Sequence, residues 1–164
     1  MKIILQGVIS TEDIHHITKE FTLTKGPEEA VISMDKKAST DQYIQFFDGG
    51  YHQPPSSKYY RLAWLKEATD LIEAEIVVHS ESDLTIGILI MQYDKIKILS
   101  NEQKKIKLGK GENRISFRVG RYSNADTFKV RLNLGVKPCK VKIFKGTVRQ
   151  IEAISLKYAE LYRL

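Results

Sequence analysis

Residues 73–144 predict an all-β chain of antiparallel strands, a sandwich or a barrel, on three observations. Apolar and polar residues alternate with a period of two through NRISFRV (113–119), FKVRLNL (128–134) and KVKIF (140–144), the signature of strands with one face buried. Turn formers separate the runs at Ser100-Asn101, Gly109, Gly111, Ser123-Asn124, Gly135 and Gly146. The runs recur every 8 to 14 residues, with no stretch between them long enough for a crossover helix.

The elements follow in order. ILQGVI (4–9) reads as a strand. TEDIHHITKE (11–20) reads as a short helical turn, with Thr11 as N-cap and acids in the first turn. EFTLTK (20–25) and AVISM (30–34) are strands about a Gly26-Pro27 turn. QYIQFF (42–47) and KYYRLAWLK (58–66) are strands flanking a loop that holds Gly49, Gly50, Pro54 and Pro55. EAEIVVHS (73–80) and LTIGILIMQY (84–93) are rich in β-branched residues. KIKIL (95–99) and KKIKL (104–108) complete the regular part. The end, VRQIEAISLKYAELYRL, has Ile154, Leu156 and Tyr158 in alternation, but also Ile151, Ile154, Tyr158 and Leu161 at helical spacing. A closing strand with a helical or frayed tail is the expectation.

Length and composition bound the class. A chain of 164 residues, 42% hydrophobic and 28% charged, forms a core without disulfides or metal and defaults to one domain. The expectation is a single β-sandwich over residues 1–164, with 1–25 as a peripheral N-terminal segment. Nowhere does an apolar run approach the ~18 residues a membrane helix needs. The opening MKIILQGVIS is followed at once by Glu12 and Asp13, which argues against a signal peptide and for the cytoplasm. The lone Cys139 has no internal partner for a disulfide. Its neighbours make it a small, half-buried residue rather than a reactive thiol.

The net charge of +6 is uneven: residues 1–80 carry −4 and residues 81–164 carry +10. Such asymmetry attracts nucleic acid, an anionic polymer or an acidic protein. The basic residues nevertheless alternate with apolar ones, as in KIKLGKGENRISFRVGR, which is how the wet face of a half-buried sheet reads. In that run Phe117 shares a face with Ile115 and Val119, so it belongs to a core rather than to an exposed stacking platform for RNA.

Searches for chemistry return little. His15 and His16 are neighbours that point apart, His52 and His79 are isolated, and no cysteine pair exists, so no metal site is expected. Gly109-Lys110-Gly111 lacks the Lys-Ser/Thr of a phosphate loop and reads as a hairpin turn. There is no G-x-S-x-G elbow. The carboxylate pairs Glu73/Glu75 and Glu81/Asp83 share strand faces, a spacing more often solvated than catalytic. The reading is a non-enzyme without cofactor.

Aromatics are more informative. Tyr43, Phe46, Phe47, Tyr51, Tyr59, Tyr60 and Trp64 fall within 22 residues. Alternation puts Tyr60, Leu62 and Trp64 on one face of their strand, expected in the core, and Tyr59 with Arg61 on the other, beside the loop residues Tyr51 and His52. A tyrosine next to a guanidinium suits stacking on a sugar ring or on a partner side chain. Tyr51, His52, Tyr59 and Arg61 are therefore the candidate binding residues. The alternative is an ordinary connecting loop.

Resemblance sharpens this. A YRLAWLK strand before an AEIVV strand, with Tyr60 to Lys66 and Val141 to Leu156 as the matching pieces, resembles carbohydrate-binding modules of the jelly-roll type over residues 40–158. More narrowly, the chain's size and the block GGYHQPPSSKYYRLAWLK resemble the third accessory secretion protein of the accessory Sec system of Gram-positive bacteria. That resemblance implies a cytosolic fold similar to carbohydrate-binding modules. It further implies partnership with other accessory secretion proteins, one of them glycosyltransferase-like, and with a motor ATPase. The shared task would be export of a glycosylated serine-rich adhesin. A free-standing carbohydrate-binding module and a basic-face binder of nucleic acid or anionic polymer are the alternatives.

Overall fold

Strand pairing sorts the alternating segments into two sheets. The computed structural model of the chain describes residues 2–46, 70–100 and 103–152. In chain order these form β1 (Lys2–Ile9), a 3-10 turn (Thr11–Asp13), β2 (Ile14–His16), β3 (Thr22–Lys25), β4 (Glu29–Met34) and β5 (Gln42–Phe46). There follow β6 (Asp70–Ser80), β7 (Leu84–Asp94), β8 (Lys97–Ser100), β9 (Gln103–Leu108), β10 (Gly111–Gly120), β11 (Thr127–Gly135) and β12 (Cys139–Glu152). The first sheet runs β10-β6-β12-β4-β3, with β1 also on β12. The second runs β2-β5-β11-β7-β8, with β9 also on β7. The pairs within both sheets are antiparallel, as the alternation predicts.

The core lies between the sheets. Ile72, Ala74, Ile76 and Val78 of β6 and Ile115, Phe117 and Val119 of β10 face Ile86, Ile88 and Ile90 of β7 and Val130 and Leu132 of β11. Phe117 is a core residue, as its position in the alternation requires. Each such side chain contributes roughly 1.5–3 kcal/mol over its exposed state. Cys139 is also buried, and burial pushes its thiol up from its ordinary value, which disfavours the thiolate form.

β12 is the spine of the first sheet. Residues Cys139–Phe144 pair with β4, and Gly146–Glu152 pair with β1 on that same edge, while β6 runs along the other edge. The change of partner coincides with a register shift between Ile143 and Gly146. A Cβ at Gly146 would lie 2.5 Å from the carbonyl oxygen of Glu75, so only glycine lets the two backbones approach there.

The expectation for residues 11–20 changes in detail. The turn at residues 11–13 is capped from Ser10 rather than Thr11: the Asp13 carboxylate accepts both the Ser10 N–H at 2.8 Å and its hydroxyl at 3.0 Å. The Thr11 hydroxyl instead donates to the Gly26 carbonyl at 2.6 Å. The turn then passes straight into β2, because Ile14 fills the core beside Phe46. The closing segment is a strand through Glu152, with Ile151 buried in it; residues 153–164, where the helical spacing lies, are outside the described residues.

A buried polar cluster joins the sheets at one end. The Arg121 Nε donates to both Asp70 oxygens at 2.9 and 2.7 Å, and both side chains are almost fully enclosed. Gln150 of β12 donates to Asp70 at 2.6 Å, and the Arg121 Nη1 donates to the Ala125 carbonyl at 3.1 Å. From the second sheet, Gln92 donates to the Gly120 carbonyl and accepts the Tyr122 N–H. On the outer face of β6, Glu73 accepts from Arg118 and from Arg149, the latter at 2.7 Å. Burial pushes the Glu73 carboxyl upward, but the two guanidiniums overrule it and hold the group below its ordinary value of 4.5.

Arg121→Ala strands the Asp70 charge, so denaturant unfolding is expected to show a loss of about 3–5 kcal/mol; a loss under about 1 kcal/mol would mean that water solvates the cluster. For Glu73 the folded value is the lower one. Its contribution to stability is full above about 4.5 and is lost as pH falls through the depressed folded value. Glu73→Gln should therefore flatten the acid limb of thermal stability below about pH 4.5, and an unchanged limb would show that other carboxylates govern it.

Candidate binding face

The residues proposed from the sequence, Tyr51, His52, Tyr59 and Arg61, lie in residues 47–69, outside the described residues, as do Tyr60 and Trp64. The described structure instead brings a different set together on the outer face of the second sheet. On β11, Phe128, Val130, Leu132 and Leu134 point to the core, which turns Lys129, Arg131 and Asn133 to the other side. The alternation places these three on a wet face, but they are 0%, 2% and 5% exposed. That corrects the reading of the basic residues as a uniformly solvated face. On β10 that reading holds, since Glu112, Arg114 and Ser116 are exposed.

Buried cations require compensation. Lys129 Nζ sits 5.3 Å from the centre of the Tyr93 ring, and the Arg131 guanidinium carbon 5.9 Å from that of Tyr43, distances at which a ring face attracts a cation. Arg131 Nη2 donates to the Gln45 Oε1 at 2.9 Å. Asn133 Nδ2 donates to Asp41 Oδ2 at 3.1 Å, to Gln103 Oε1 at 3.3 Å and to the Tyr43 hydroxyl oxygen at 3.4 Å. Leu89, Met91 and Tyr93 on β7 form an apolar strip beside them. Burial pushes the Tyr93 hydroxyl up to about 12, against the opposing pull of Arg131, so the ring stays neutral at physiological pH.

These groups are themselves almost fully enclosed, so of the cluster it is the half-buried Tyr43, at its rim, that reaches the surface. A half-buried tyrosine ring fixed in this way can stack on a sugar or a partner's side chain. A signal for the enclosure exists in the sequence. LTIGILIMQY is apolar at both parities, so β7 has two covered faces, and its hydrogen-bonded neighbour β11 shares that cover.

The carboxylate pairs have other work. Glu73 and Glu75 bind Arg118, Arg149 and Arg114. Glu81 lies 3.8 Å from Lys140, and Asp83 accepts the Lys110 N–H. His16 stacks on Phe21 with ring centres 4.5 Å apart. Among the described residues no group of three His, Cys, Asp or Glu could hold a metal ion, and no helix is long and apolar enough to cross a membrane.

No family model matches the chain, and no curated protein matches it by sequence. Solved structures do. The apo CBM1 module of BiXyn10A is similar with a TM-score of 0.60 at 10% identity, over 91% of this chain and 99% of that one. The CBM22-1 xylan-binding domain of Xyn10C from Paenibacillus barcinonensis is similar with a TM-score of 0.56 at 8% identity, over 93% and 96%. A glycosylation-associated protein (Gap123) complex from Streptococcus agalactiae is similar with a TM-score of 0.54 at 15% identity, over 91% of this chain. The chain spans about a quarter, 26%, of the streptococcal chain it matches. At these identities the likeness is one of fold: the protein is an antiparallel β-sandwich of the jelly-roll type, similar to carbohydrate-binding modules.

Proposed function

We propose that the protein is a non-catalytic adaptor in accessory Sec-dependent export of a glycosylated serine-rich adhesin, working in the cytoplasm. The observation that carries this reading is the likeness, over 91% of the chain, to the glycosylation-associated complex of Streptococcus agalactiae. The GGYHQPPSSKYYRLAWLK block supports it independently. Its partners would be other accessory secretion proteins, one glycosyltransferase-like, the motor ATPase and the adhesin preprotein or its glycans. The half-buried Tyr43, at the rim of the Arg131–Asn133 cluster, would take part in that recognition, because a tyrosine ring stacks on sugars and on peptide side chains alike. A second reading, a free-standing carbohydrate-binding module, is favoured by the full-length correspondence to the BiXyn10A module.

Tagged protein recovered from its own cells in mild detergent is expected to bring down a glycosyltransferase-like protein, the motor ATPase or the adhesin. Tyr43→Ala, at a half-buried rim position, should reduce that recovery about tenfold, the equivalent of about 1.4 kcal/mol; because the ring also compensates the buried Arg131, the melting temperature should fall as well, and recovery is compared below it. Recovery of none of these proteins, together with binding of purified glycan by the isolated protein, would overturn the adaptor and favour the free-standing module.

A further inference from the structure

A cavity of about 610 Å³ opens at one end of the sandwich, at the start of β5 and β7 and the end of β9 and β11. Its size falls within the range of small-molecule sites, about 300–1,000 Å³. The floor is apolar, made by Leu84, Leu108, Leu134 and Val136. Around it stand Asp41, Asp83, Lys107 and Lys137.

The arrangement of these four charges selects among ligands. Asp83 is anchored through one oxygen by the Lys110 N–H at 3.1 Å, and Asp41 through one oxygen by Asn133 at 3.1 Å. Among the described residues the second oxygen of each carboxylate has no partner, and neither ammonium group forms an ion pair. Two fixed acceptors and two donors therefore border one apolar surface. An anion would meet both aspartates and a cation both lysines, while the four formal charges cancel. A neutral ring with hydroxyls at its edge satisfies all of them: hydroxyls donate to the carboxylates and accept from the ammonium groups, and the C–H face covers the leucines.

We propose that this end cavity is a binding site for one or two rings of a neutral saccharide, separate from the outer face of the second sheet. The Asp41–Asn133 hydrogen bond joins the two, so a longer glycan bound at the end would continue toward Tyr43. The inference rests on the binding-module reading only for the use the site is put to; its ligand class follows from the lining.

Gly109 lines the cavity, a Cβ there meets nothing within 4 Å, and its φ is not in the left-handed region. Gly109→Leu therefore places bulk at the mouth without strain. The test is amide-resolved NMR titration of the full chain with cellobiose and with diacetylchitobiose. N-acetylneuraminic acid serves as the anionic control and spermidine as the cationic one. A neutral disaccharide is expected to shift the amides of Leu84, Thr85, Gly109 and Gly135 to saturation, the charged controls not to, and Gly109→Leu to weaken binding by about tenfold or more. Lys107→Ala with Lys137→Ala, two exposed positions, should weaken it as well and does not depend on the first variant folding. Shifts confined to Met91, Lys129 and Arg131 would overturn the end site and leave saccharide binding by the module intact. No shift with either disaccharide, equal binding of a charged control, or unchanged affinity in both variants would also overturn it. Recovery of secretion partners judges the adaptor reading separately.

Discussion

The ion pair between Asp70 and Arg121 sets the terms for much of the fold. Two opposite charges withdrawn from water cost far more than an exposed pair, so they persist only where every neighbouring group is arranged for them. Here that requirement recruits Gln150 from β12 and the carbonyl of Ala125 from the β10–β11 connection. The backbone joins in as well, since the Arg121 N–H donates to the Asp70 carbonyl at 2.9 Å. Gln92 then fastens the same connection to β7. A sandwich held only by apolar burial tolerates sliding of its sheets; one closed by directional bonds at an end has a single seating.

That seating is what gives the outer face of the second sheet a fixed form. β7 enters the joint through Gln92, and its next residue is Tyr93, whose ring lies under Lys129. Arg131 and Asn133 follow at alternate positions on β11 and meet Gln45, Tyr43 and Asp41. Polar groups held in this way, and almost fully enclosed, fix how the outer side of the sheet is packed. The fold class by itself hosts many functions, so the sandwich alone does not choose among them.

How much of this was legible in the residues depends on how local the deciding interaction is. Strict alternation in NRISFRV and KVKIF corresponds to strands β10 and β12, and Phe117 lies in the core because its parity allows no other place. The same logic misjudged FKVRLNL, since parity says which residues share a face and not whether water reaches it. The cap at Ser10 was missed because Ser10 and Thr11 offer the same hydroxyl; only the three-residue reach from Ser10 to Asp13 distinguishes them. The Asp70–Arg121 pair spans 51 positions, and no periodicity encodes a contact at that range. The candidates Tyr51, His52, Tyr59 and Arg61 remain outside the described residues.

The central place of β12 also bears on how the protein is made. Lys2 pairs with Glu152, so β1 has its partner among residues synthesised some 150 positions after it. β4 and β6 likewise flank β12, and until residues 139–152 emerge the β3–β4 pair and the β6–β10 pair stay separate. Before β12 is made, β1, β4 and β6 lack the strand that covers their edges. Such edges invite strand pairing with other chains, and the interval before β12 arrives is when this protein would most need a chaperone of its own.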